Sequence, residues 1–395
     1  MSPEPQRRQS FRKREPNRYF AVLDGLRGIA ALAVVTRHAP AYFNSISPTP
    51  AGPFFESYLA VDFFFVLSGF VLAFSYGHQI CAGMSAPRFL MIRLARLYPL
   101  YLLALAISAP LAMWQVASGA LNGSTLAVDL IAALMFLPSP ITQYSLFPLN
   151  WPAWSLFFEL LANFCFGLFG ARFRDSFLSM FVLATGAVLI LTVAYGAVGF
   201  GSGQIGPGIS SGPMDAGSQW PGFGAGCVRV AYSFFAGVLV YRVWRMQPRT
   251  IVVSPYLLFG ALTLIMAAHP VPEWRLTFDL SATIFAFPAI VYLGASSIAS
   301  GACGSISRTL GRASFAVYVL QVPVYELSIK AAASATRDAN PVFAPWAVYV
   351  VFLVAFALIA DRCFDNPARR MLMRRLDEIG PSRRTHVDAQ PIAGP

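Results

Sequence analysis

The 395-residue sequence predicts an all-α integral membrane protein with about ten transmembrane helices and both termini in the cytosol. Three observations carry that prediction. Hydrophobic residues make up 56% of the chain and charged residues 12%, against about 25% charged in a soluble domain. The mean hydropathy is +0.59. Apolar runs long enough to span recur along the chain, separated by short connections rich in Pro and Gly.

The runs lie near 20–41, 55–76, 97–117, 145–170, 177–200, 227–246, 253–268, 277–299, 313–331 and 343–362. Segment 126–138 is apolar but too short to span, so it is expected at the interface or as a re-entrant piece. This divides the chain into a basic tail (1–18), a transmembrane domain (19–365) and a second basic tail (366–395). The stretch 199–226 is the richest in Gly and reads as a loop.

Orientation follows from the arginines. With the N-terminus inside, most of the 29 Lys and Arg fall in inner segments. Only Arg229, Arg275, Lys330 and Arg337 fall at outer ones, and Arg27 and Arg37 lie within the first span. That asymmetry puts both termini inside and makes the number of spans even. The net charge of +11 is thereby a topology marker, and no nucleic-acid partner is expected. The five cysteines are scattered, without metal-ligand spacing or a disulfide framework, and no metal is expected.

A few ionisable residues fall inside spans: Asp24, Arg27, His38, Asp62, Glu159 and Glu326. Charges in lipid are costly, so each is expected to face the bundle interior or an aqueous cavity, in a functional role or as a helix-pairing group. Arg27 and His38 are eleven residues apart, about three turns, which puts them on one helix face about 16 Å apart along the axis. Asp24 is placed to pair with Arg27. Imidazole is the side chain suited to accept a proton near neutral pH, which makes His38 the candidate base. His78 reads as a loop residue, His269 as a helix-end residue and His386 as a tail residue. Tyr98, Tyr101, Trp151 and Trp154 lie near expected membrane borders, where an aromatic belt accounts for them.

Several segments, in order, resemble those of the membrane-bound acyltransferase family 3. Arg18 to His38 resembles the family's opening motif, with ten residues between Arg27 and His38. Val61-Asp-Phe-Phe-Phe-Val-Leu-Ser-Gly-Phe70 resembles its second-helix motif, and Arg93-Leu-Ala-Arg96-Leu-Tyr-Pro99 its basic third-helix motif. Trp154-Ser-Leu-Phe-Phe-Glu159, Ser314-Phe-Ala-Val-Tyr318-Val-Leu-Gln321 and Asp365-Asn-Pro367-Ala-Arg369 resemble its later segments. Two positions depart from the pattern. Gln321 stands where many members have His, and Asp365 or Asn366 where Glu is common.

The resemblance implies an O-acyltransferase of a bacterial inner membrane. It would move an acyl group, acetyl by default, from cytosolic acyl-CoA to a hydroxyl of a carbohydrate or related acceptor. His38 would serve as general base, with Glu159 or Asp24 orienting it or Arg27. Arg93 and Arg96, at positions i and i+3, would dock the coenzyme A phosphates. Some members continue into an SGNH esterase-like domain. None is read here, so the membrane domain is expected to perform the whole transfer unless a separate partner protein takes over. The competing class is a transporter or flippase, for which charges along a bundle would serve a proton-coupled path. Absence of obvious internal repeats and the ordered motifs favour the enzyme.

Overall fold

The computed structural model describes residues 19–43, 53–199, 213–246, 253–335 and 345–379, and those residues form helices without strands. The helices are α1 (Ala21–Phe43), α2 (Ala60–Cys81), α3 (Ala86–Ala117), α4 (Gly123–Leu134), α5 (Ala153–Leu168), α6 (Asp175–Gly199) and α7 (Phe223–Met246). Then follow α8 (Pro255–Ala267), α9 (Pro272–Ser281), α10 (Phe287–Ser296), α11 (Gly301–Ala335), α12 (Pro345–Ala360) and α13 (Asn366–Ile379). Two π-helical turns, Ala282–Ala286 and Asp361–Asp365, join α9 to α10 and α12 to α13.

Among the described residues, six helical stretches are long and apolar enough to cross a membrane: Ser57–Cys81, Ala86–Ala117, Asp175–Tyr195, Trp220–Met246, Pro272–Ser296 and Trp346–Glu378. The other four runs correspond to α1, α5, α8 and α11. Helices α1 and α11 are long but interrupted by charges such as Asp24, Arg27 and Arg37, or Arg308 and Arg312. Helices α5 and α8, with 16 and 13 residues, fall short of a hydrocarbon core of about 30 Å.

Helix ends follow local chemistry. The Ser85 side chain accepts from the Arg88 backbone N–H, and Pro87 sits in the first turn of α3. Helix α3 therefore starts well before its apolar run, and Arg93 and Arg96 lie inside it rather than at its start. Asn122 caps α4, accepting from the Ser124 N–H at 2.9 Å. Buried Tyr101 of α3 donates to the Ala133 carbonyl, which ties α4 down. Tyr101 is thus a packing residue rather than part of an aromatic belt.

Small residues set the closest helix contacts. A Cβ on Gly69 of α2 would strike the Phe234 carbonyl of α7, and one on Gly237 of α7 would strike the Val66 carbonyl of α2. Those two backbones touch. Helix α1 lies against α11 in the same way, with Gly28 against Leu310 and Gly311 against Asp24. Both pairings bring polar residues of separate helices within bonding distance.

Candidate functional site

Among the described residues, three groups of polar side chains bear on the candidate site. The first surrounds Arg27. Its Nε donates to Ser314 Oγ at 2.8 Å and one Nη donates to the Gly311 carbonyl, both on α11. Asp24 Oδ1 lies 3.1 Å from the same guanidinium, one turn back. The close α1–α11 approach makes these bonds possible. Deeper in the bundle, buried Arg93 of α3 donates to Glu159 Oε1 of α5 at 2.9 Å. Ser68 of α2 donates to the same oxygen at 2.7 Å. With the Asn163 amide turned to satisfy its neighbours, its oxygen accepts from Arg93 Nε at 3.3 Å.

Arg93 and Arg96 are thereby separated in role. Arg93 is 5% exposed and committed to Glu159. Arg96, three residues on, is exposed and makes no ion pair among the described residues. It lies in electrostatic range of Arg27, Asp365 and Arg369. Glu159 joins α2, α3 and α5, and it does not contact His38. Arg369 closes this end, with Asp365 Oδ2 at 2.6 Å and Asp361 Oδ1 at 3.3 Å across the π-turn.

The second place is His38, on α1. The edge of the Trp151 ring meets it at 4.9 Å, nearly perpendicular. The Gln321 side chain of α11 lies close to the imidazole. Gln321 is itself fully buried, its Nε2 donating to the Tyr318 carbonyl at 3.0 Å. Tyr349 of α12 donates to the Gln321 backbone carbonyl. Asn150 Nδ2 donates to the Val319 carbonyl at 3.1 Å, which fixes the 150–151 turn beside α11. Trp151 is thus a neighbour of the candidate base rather than a border residue. Among the described residues His38 is the histidine held in the interior. His78 lies exposed in the last turn of α2, not in a loop, and His269 sits exposed beside Phe55.

The third place is a cluster near the C-terminal end of α1. Arg229 of α7, 1% exposed, makes a two-pronged contact with Asp62, at 2.6 and 3.2 Å, and stacks 5.6 Å above Trp154. Its sequence position suggested a charge at the end of a span; it is buried inside the bundle. Removing one partner of such a buried pair costs about 3–5 kcal/mol. Arg37, beside His38 in the chain, donates to the Phe55 carbonyl and stacks on Phe55 and Tyr58. Arg275 covers the same two rings and pairs with Glu56 at 3.1 Å. Tyr58 donates to Asp279 Oδ2 at 2.7 Å. In the loop before α7, burial pushes the Asp215 carboxyl up, against the pull of Arg37, Arg229 and Arg275. Sequence reading missed this cluster because Glu56, Asp215, Arg275 and Asp279 lie in or near connections, where charge is ordinary.

Long apolar helices whose interior charges are paired define an integral membrane protein. A family model described as an acyltransferase domain matches residues 20–361, and the chain belongs to that acyltransferase 3 family. It is thus a membrane acyltransferase. The chain is also similar to "Protein 2 in picA locus" of Rhizobium radiobacter, 42% identical over 193 residues, which covers 45% of this chain and 96% of the relative. No solved structure matches.

Proposed function

We propose that the protein transfers an acyl group, acetyl by default, from acyl-CoA to a hydroxyl of a carbohydrate or related acceptor, with His38 as general base. The observation that supports this reading most is the setting of His38. It is the interior histidine of the described residues, in an acyltransferase domain, packed against Trp151 with Gln321 close by. Arg27 lies about three turns away on the same helix, and Arg96 of α3 stands in electrostatic range of it.

In this mechanism the donor enters at the Arg96 end and its thioester reaches along α1 towards His38. The imidazole takes the acceptor hydroxyl proton as the oxygen attacks the thioester carbonyl. The carbon–sulfur bond then breaks, and the imidazolium returns the proton to the departing thiolate. The products are the acyl ester and free coenzyme A thiol. Gln321 holds one ring nitrogen so that the other faces the hydroxyl. No histidine is needed at position 321 for this, since an amide can orient a ring without titrating.

The test is release of coenzyme A thiol by purified protein given acetyl-CoA and a hydroxyl acceptor. His38→Ala is expected to cut turnover by about 10²–10⁴-fold with an unchanged unfolding midpoint. A folded variant with near-normal turnover would sink the reading.

A further inference from the structure

Arg93 is spent on Glu159, so of the two arginines expected to meet the donor's phosphates only Arg96 remains open. The donor carries three phosphate groups, and one guanidinium is a thin complement to them. More cations stand on α13. Pro367, Arg370, Met371, Arg374, Arg375 and Glu378 line a shallow depression of about 390 Å³ on one side of it. Arg370, Arg374 and Arg375 are exposed and make no ion pair among the described residues. Glu378 is the only carboxylate in that lining, so the depression keeps an excess of positive charge.

Helix α13 runs antiparallel to the start of α3. Arg88 of α3 meets Asp377 near the end of α13 at 3.5 Å, and Arg96 lies in range of Arg369 and Asp365 at its beginning. Arg369 anchors the first turn to Asp361 and Asp365. The start of α13 is therefore held near Arg96 by Arg369, with the arginine face of the helix next to it in sequence. The arginines at 370 and 374 are one turn apart and 375 is adjacent, a spacing that suits forked donation to phosphate oxygens.

We propose that the α13 face formed by Arg370, Arg374 and Arg375 binds the phosphate-bearing nucleotide part of acyl-CoA, with Arg96 at the entrance to the bundle. This rests on the acyl-CoA reading above. Met371, 59% exposed, supplies an apolar surface between the arginines for the adenine or ribose. A purely topological role for these arginines makes the opposite forecast, because any cation would then serve and no ligand affinity would follow them.

The experiment uses the full chain in nanodiscs of zwitterionic lipid and measures Kd for coenzyme A and for dephospho-coenzyme A. The variant is Arg370→Gln/Arg374→Gln/Arg375→Gln. Gln keeps helix propensity, and an unchanged unfolding midpoint checks the fold. The expected result is a Kd for coenzyme A raised about tenfold, a flatter salt dependence, and loss of the preference for coenzyme A over the dephospho form. An unchanged Kd in the variant, with tight binding by the parent protein, would overturn the proposal and leave the acyl-CoA reading standing. A parent protein that neither binds coenzyme A nor releases its thiol would defeat that reading itself. A variant that binds coenzyme A normally but loses stabilisation by phosphatidylglycerol nanodiscs would assign the face to anionic lipid instead, and would also overturn the proposal.

Discussion

Arg93 and Arg96 share a short motif and do different things. A guanidinium buried against one carboxylate becomes costly to lose, because the partner is left charged in a dry site. Arg93→Ala is expected to lower stability by about 3–5 kcal/mol and to reduce the yield of folded protein. Arg96→Ala is expected to leave the unfolding midpoint within about 1 °C and to raise KM for acyl-CoA. Thermal unfolding in detergent beside a donor titration separates the two. Gln321 belongs to the same scale. Gln321→Ala is expected to reduce kcat by about 10–100-fold with little change in KM, since it loosens the base and not the donor. Gln321→His, which keeps a hydrogen-bonding ring, is expected to recover part of the loss and to change the pH profile of kcat.

At the scale of elements, the α2–α7 crossing is the sharpest constraint. Gly69→Val is expected to destabilise the protein by about 1–3 kcal/mol or more, because the new side chain meets backbone and not a flexible tip. Gly77→Ala, on the same helix with open space around it, is expected to be neutral or slightly stabilising. The pair of unfolding midpoints measures the contact against helix propensity. Apolar period and motif order made the helices legible from sequence, to within a few residues for α1, α6, α7 and α8. The start of α3 was not, because its first turns carry Arg88, Arg93 and Arg96 and read as a loop. Nor was the helical character of 366–379, because α13 is so basic that composition alone reads as a tail.

For the whole molecule, the arginine asymmetry predicts both termini on one side of the membrane. Cys363, exposed beyond α12, is expected to resist a membrane-impermeant maleimide added to intact cells, while Tyr144→Cys in the α4–α5 connection is expected to react. Labelling of Cys363 from outside would reverse the orientation. The candidate site was legible in its components and less so in its pairings. His38, Arg27 and Asp24 share one helix, so spacing alone related them. The partners Ser314, Gln321, Arg93–Glu159 and Asp62–Arg229 come from separate helices, and no period within one segment reveals which distant residue faces which. Trp151 and Trp154 were misplaced for a similar reason, since an aromatic near a border and one under a buried guanidinium look alike in sequence.

The Gly69–Gly237 contact also bears on where the bundle has room to move. Where two backbones touch there is no side chain to swing aside, so α2 and α7 move together or not at all. They carry Asp62, Ser68 and Arg229 as one rigid plank. Give in the structure has to come from helices whose hydrogen-bond ladders are already interrupted: α3 at Pro99 and Pro110, α11 at Pro323, and the π-turns at 282–286 and 361–365. Two of those breaks flank the residues that matter most. Pro323 is two positions from Gln321, and the 361–365 turn holds the root of α13. Movement that admits a substrate is therefore expected at these helix breaks, with the α2–α7 plank staying still.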